Sequence, residues 1–484
     1  MSGHQAEIWH PGVLAKYFVV ATLTQQLEAS GWSVHSQWLV VDQDAGDPES
    51  PGGPDSLAFL EQVSEAKASR LRRARVGLTP VSSASQAQQS SVAKGAGASR
   101  GGGGANLTEI ATGCREPVVP EQDWPNAASP EASVRLSRIL SSLRECSSEA
   151  SLARQFGRVA CSLAAELIPS SRVDPVYATD LARLPSFRRF IACMIQDSRA
   201  CVEAYNAAVL ANPEAKLRPL RVQEQHIELP LWRLRWGQPR ERVFSSDADV
   251  RALASGERAQ TEDEVHASAG LLAPRALAMT AHARGELCDL FVHGLGGGVY
   301  DQVMEQWIAS WQAASPSAWT PTRRADGGLA PAVVASATLH LTMPPSTSDV
   351  ETEIPSERDV AIAKWRAHRL RHDPALAGDL AAEAAKREIV ERLRTSKALR
   401  EPRSVRAELF RQMHAQLAEY RERTSMQIAR ADRHAEATTK AALDRDVLFD
   451  RTWPFPLYPQ EKLVALRDEL AAALEFDSVA DAVS

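Results

Sequence analysis

The chain opens with MSGHQAEIWHPGVLAKYF (residues 1–18), and the reading of this stretch decides the fold. Chain ends are usually frayed and chemically plain, yet His4, Gln5, His10, Gly12 and Lys16 crowd this one. Val13, Tyr17, Val20, Leu23 and Leu27 recur at helical spacing, and Gly31 stands where that helix would end. Trp38, Leu39, Val40 and Val41 then make a short apolar run closed by Asp42 and Asp44, the pattern of a buried strand. The order is turn, helix, strand, with Gly3–Gln5 in the turn. In an α/β sheet such a turn follows a first strand. Only Met1 and Ser2 precede it here. The expectation is a core sheet lacking that strand, with a natural start upstream.

The rest of the chain divides by composition. Residues 1–79 begin the α/β core. Residues 80–105, rich in Ser, Gln, Ala and Gly, lack the apolar side chains for a core and read as a disordered insertion. The basic run 69–77 reads as a helix end. The core resumes over 106–372. Ser129 before Pro130 is an N-cap signal, and 152–212 reads as helical throughout. HIELPLWRLRWGQPRERVF (226–244) alternates and turns at Gly237-Gln-Pro239, a hairpin signal. Leu287–Val292 is strand-like, Gly294, Gly296, Gly297 and Gly298 form a loop, and Val299, Val303, Trp307 and Trp311 make a helical stripe. Another strand is expected at 332–343. Asp373-Pro374 opens a charged helical stretch over 373–450, broken at Pro402, which reads as a two-helix antiparallel coiled-coil arm. Residues 451–484, aromatic and then helical, are expected to dock on the core.

Length and composition narrow the function. The 484 residues are 44% hydrophobic, enough for a sizeable core, and the net charge is −6, which argues against a general nucleic-acid binder. The six cysteines form no CxxC pair, a pattern of reduced thiols in a cytoplasmic protein. No apolar run is long enough to span a bilayer, so no membrane partner is expected.

Three groups of residues carry chemistry. Strand, HGLGGG and helix in succession can bring backbone amides to an anion at a helix start. Gly294-Leu-Gly296-Gly297-Gly298-Val299 is only a partial dinucleotide fingerprint, and tight steric turns also use such glycines; His293, Tyr300 and Asp301 flank it. Asp42 and Asp44 at a strand end suit a hard cation, though acids there are also ordinary turn chemistry. His4, Gln5, His10 and Lys16 are grouped by Pro11-Gly12 directly before a well-patterned helix, where Lys16 could reach an anion; the plain alternative is an exposed polar terminus.

GHQAEIWHPGVLAK together with PRALAMT…DLFVHGLGGGVYDQV, ELPLWRLRWG and DRTWPFPLYPQEKL resembles the cysteine-adding ligases of bacillithiol synthesis, and more closely their uncharacterised bacterial relatives with GHQ…HPG…K and HGxGG motifs. The resemblance implies an α/β fold with a Rossmann-like parallel sheet core, helical insertions and a C-terminal arm that can dimerise. It implies a pocket at the carboxyl ends of the strands. Gly3, His4, Gln5, His10, Pro11, Gly12 and Lys16 would line one side, Asp42 and Asp44 the acidic strand end, and His293, Gly294, Gly296, Gly297, Tyr300 and Asp301 the glycine-rich turn. The chain departs from the ligases at His4 and at Gly296–Val299, so cysteine transfer does not follow from it.

The expected function is a ligase-like or transferase-like enzyme acting on a small polar amine or carboxylate metabolite. His4, His10 and His293 are the candidate acids and bases, and Lys16 with the glycine amides would hold an anionic group. A nucleotide or a divalent metal is a candidate cofactor. The alternatives are a metal-dependent enzyme using Asp42, Asp44 and histidines, and a non-catalytic sensor or scaffold dimerised by its arm.

Overall fold

A computed structural model describes residues 1–47, 49–65, 68–83, 109–121, 127–169, 172–224, 226–341 and 355–474. The insertion expected at 80–105 lies mostly outside them; Ala68–Pro80 is a strand and residues 81–83 are helical. The fold is mixed α/β. Its chain divides into two units: Met1–Glu61, Arg73–Leu339 and Arg451–Ser484 form the first, and Gln62–Arg72 with His340–Asp450 the second.

The first unit is organised by a five-stranded parallel sheet. Its strands are β1 (Ser2–Gln5), β2 (Ser36–Val41), β3 (Val173–Tyr177), β4 (Phe291–His293) and β5 (Ala332–Val334), in the spatial order β5-β4-β1-β2-β3. β1 is central. Ser2 is in register with Val292 on one side and Trp38 on the other. This corrects two expectations: Gly3–Gln5 is strand and not turn, and the centre of the sheet is filled. Glycine is needed at position 3 because an added Cβ would collide with the Leu39 carbonyl of the neighbouring strand.

Helix α1 (Pro11–Ala29) follows β1 and is buried along nearly its whole first half, so an amphipathic stripe undersells it. Tyr17 of this helix packs in an aromatic cluster with Trp9, Trp38 and Phe455, in which the Trp9 and Trp38 centroids are 4.3 Å apart. The tail belongs to this unit: Phe455 N–H donates to Trp9 O at 2.6 Å, and Gln460–Ala473 packs on α1.

Ser129 caps Pro130–Glu145 by accepting from Ala132 N–H at 3.1 Å. His226–Leu234 and Glu241–Phe244 pair antiparallel across a turn where Gly237 has a φ of 64°. The stretch 152–212 is not helical throughout, because VDPVY forms β3. Its proline is tolerated because β3 is an edge strand, where a missing N–H costs no ladder bond. The basic run 69–77 is strand, not helix end, with Leu71, Val76 and Leu78 buried.

The second unit contains α3 (Glu357–Leu370), α4 (Leu380–Ala398), α5 (Arg403–Arg423) and α6 (Ser425–Leu448), once α2 is assigned to Leu295–Ala314 of the first unit. α3 packs against α6 and α4 against α5. Asp373-Pro374 does not start the long helix. It opens a 3-10 turn ended by Gly378 at a φ of 76°, and Asp379 caps α4 through Ala382 N–H at 3.0 Å. No helix of the described residues is long and apolar enough to cross a membrane.

Candidate functional site

Strand order reverses between β1 and β4: the connections from β1 proceed to one side of the sheet, and the later strands return to the other. Open parallel sheets bind ligands outside the carboxyl ends of the strands at such a point. Gln5 ends β1 and His293 ends β4 there, so residues nearly 290 positions apart become neighbours.

Lys16 occupies the seam. It is 5% exposed. Its Nζ donates to Gly3 O at 2.5 Å and stands 5.3 Å from the Trp38 ring centroid. A Cβ on Gly294 would lie 3.7 Å from Lys16 Cδ, which places the N-terminal motif directly against the glycine-rich one. Burial pulls the Lys16 pKa down to about 7, with Glu7 opposing the fall.

His10 is the N-cap of α1. Its Nδ1 accepts from Gly12 N–H at 3.1 Å. Burial, followed by the neighbouring His4, lowers its pKa to about 4, so the ring is neutral at pH 7 and offers a ligand its Nε2–H. It is therefore a hydrogen-bond donor more than a proton acceptor. His4 crosses it edge-on, centroids 6.4 Å apart, and its Nδ1 lies 3.2 Å from Glu7 Oε1. Glu7 is itself held by Ser50 Oγ at 2.6 Å. Burial opposes its ionisation, but His4 and Ser50 outweigh that and lower its pKa.

A cavity of about 340 Å³ opens beside this group, lined by Gln5, Glu7, His10, Asp47, Ser50 and Arg73 among others. Arg73 lies 4.7 Å over the Trp453 ring. Glu7, Ser50 and Arg73 were not singled out from the sequence. Glu7 sat in plain view between the two histidines, and its i+3 spacing from His4 is the signal that could have found it.

The glycine-rich segment differs from its expected form. β4 ends at His293, Gly294 is the N-cap, and Gly296–Gly298 form the first turn of α2 instead of a loop. A Cβ on Gly297 would lie 2.5 Å from His293 Nδ1, so this glycine makes room for the histidine ring. His293 Nε2 stands 2.9 Å from Asp301 Oδ2. Arg284, also buried, donates to the same oxygen at 2.7 Å and reaches Glu305 at 2.7 Å. Tyr300 is exposed, and nothing lies within 4 Å of a Cβ on Gly296. None of the 293–301 residues lines the cavity beside His10.

Asp42 and Asp44 are not brought together as a ligand pair. Asp42 is fully buried and accepts from Thr179 N–H at 2.9 Å and Thr179 Oγ1 at 2.5 Å. Burial raises its pKa to about 6, against those two hydrogen bonds. Asp44 pairs with Arg240 at 2.5 Å. Among the described residues no group of three His, Cys, Asp or Glu side chains is arranged to hold a metal ion. Pro11 begins α1, and Gly12 supplies the amide that His10 caps.

Comparison of the sequence with protein-family models and with curated proteins finds no match.

Proposed function

We propose that this chain is a Rossmann-like enzyme of the ligase or transferase type, binding a small polar metabolite where β1 and β4 part. The observation that carries the reading is the packing of Lys16, an amine with a pKa near 7, between Gly3 of the first motif and Gly294 of the second. The strand order β3-β2-β1-β4-β5 is that of the doubly wound nucleotide-binding folds, and the resemblance to the cysteine-adding ligases points to the same cleft.

In this reading His4 serves as the general base, oriented by Glu7. His10 Nε2–H and Arg73 hold polar substrate groups beside the cavity. Lys16 stabilises an oxyanion when charged, and the uncapped start of α2 favours negative charge at its end of the cleft. If a nucleotide is used, that helix start is where its phosphates would lie. Residues 373–450 are the proposed coiled-coil arm and homodimer contact.

The test is turnover. The protein is incubated with candidate amines, carboxylates and a nucleoside triphosphate, and products are identified by mass spectrometry. The reading expects a condensed or transferred product with the wild type and at least a hundredfold less with His4→Asn, the usual worth of a general base. Product formed equally by both proteins would refute it.

A further inference from the structure

In the second unit, α3 and α6 approach closely because Ala363, Ala367, Ala431 and Ala435 face one another along the seam. Beside that seam lies a depression of about 530 Å³. Its floor is apolar, with Ala363, Leu370, Leu376 and Ala431. Its rim carries two arginines, Arg366 from α3 and Arg430 from α6, with His434 one turn further along α6. Gln427, one turn earlier, adds an amide. No lining residue is acidic.

Other arginines of this unit are neutralised: Arg369 on α3 by Asp373 at 2.9 Å, Arg371 just past α3 by Asp432 at 2.7 Å, and Arg423 on α5 by Asp379 at 3.0 Å. Arg366 and Arg430 have no carboxylate partner among the described residues. Asp432, the acid closest in sequence to Arg430, is already taken by Arg371.

We propose that this depression binds a small organic oxyanion carried on an apolar body, a phosphate monoester or a carboxylate. Two guanidinium groups match the fork geometry of such oxygens, Gln427 supplies a further donor, and Leu370, Leu376 and the alanines receive the apolar part. The site is separate from the cleft at β1 and β4 and does not rest on the function proposed for it.

The probe is phenyl phosphate, titrated into the full-length protein at low ionic strength by isothermal calorimetry, with benzoate, inorganic phosphate and phenol as comparisons. The expected result is saturable binding of phenyl phosphate or benzoate, with inorganic phosphate and phenol each at least tenfold weaker. Whichever of the first two binds more tightly tells phosphate from carboxylate. Arg366→Gln with Arg430→Gln should weaken binding at least tenfold. Ala431→Leu, which fills the floor without changing charge, should do the same and serves as a second variant. Lys16→Met should leave this binding unchanged. No saturable binding, equal binding by the variants and the wild type, loss of binding in Lys16→Met, or phenol binding as well as phenyl phosphate would each overturn the assignment.

Discussion

Replacing Lys16 by methionine keeps the length of the side chain and removes its amine. In the fold the amine has a pKa of about 7 because it is buried, whereas an unfolded lysine titrates near 10.4. The folded state therefore binds fewer protons than the unfolded state between those values, and stability rises with pH across that window. At about 1.36 kcal/mol per pKa unit, the buried amine costs the wild type roughly 4–5 kcal/mol at pH 6 and about 1–1.5 kcal/mol at pH 9.5. The hydrogen bond from Nζ to Gly3 O, contributing about 1–2 kcal/mol, lowers the whole curve without changing its slope. Lys16→Met should be more stable than the wild type at pH 6, and that advantage should shrink by about 3 kcal/mol by pH 9.5. Urea unfolding at pH 6, 7.5 and 9.5 reads this, with Trp38 beside the mutated site as a fluorescence reporter. A difference between the two proteins that stays constant with pH would refute the reasoning, because it would mean that Lys16 titrates as a solvated lysine.

Three further outcomes follow from single contacts, each checked by urea unfolding. Gly297→Ala should destabilise by about 1–3 kcal/mol through collision with the His293 ring, whereas Gly296→Ala, which meets nothing, should be neutral or stabilising by up to about 1 kcal/mol. Arg284→Met should cost about 3–5 kcal/mol by taking from the buried Asp301 carboxylate its guanidinium partner, and adding Asp301→Leu should recover much of it. Asp42, with its pKa raised to about 6, gives the fold stability that is complete below about pH 4 and is lost as pH rises through about 6. Asp42→Asn should flatten that slope by about 2–3 kcal/mol between pH 4 and 6.5.

The helix at Pro11–Ala29, the strand at Trp38–Val41, the hairpin around Gly237 and the cap at Ser129 were legible because each rests on local signals: periodicity, a positive-φ glycine, a capping side chain. β1 was missed because four polar or small residues, Ser-Gly-His-Gln, carry no strand pattern. What makes them a strand is pairing on both sides with Trp38–Val41 and Val292, which is tertiary information. β3 was missed because its proline argues against a strand unless the strand lies at an edge. At the site, His4, His10, Lys16 and His293 could be picked by residue type and proximity to glycine. Their partners could not: Glu7 looked like one acid among many, Ser50 and Arg73 arrive from distant segments, and Arg284 reaches Asp301 only through the fold. Asp42 had the right residue type at the right strand end, but Thr179 had already claimed both its oxygens.

In the function proposed here, the junction of β1 and β4, with Lys16 at its seam, binds a small polar metabolite. Equilibrium dialysis of the protein against a defined mixture of polar metabolites, with mass spectrometry of what is retained, tests it most directly. The wild type should retain at least one amine- or carboxylate-bearing metabolite that the folded His4→Asn, Lys16→Met double variant does not. Identical retention by the two proteins, including none by either, would contradict the account.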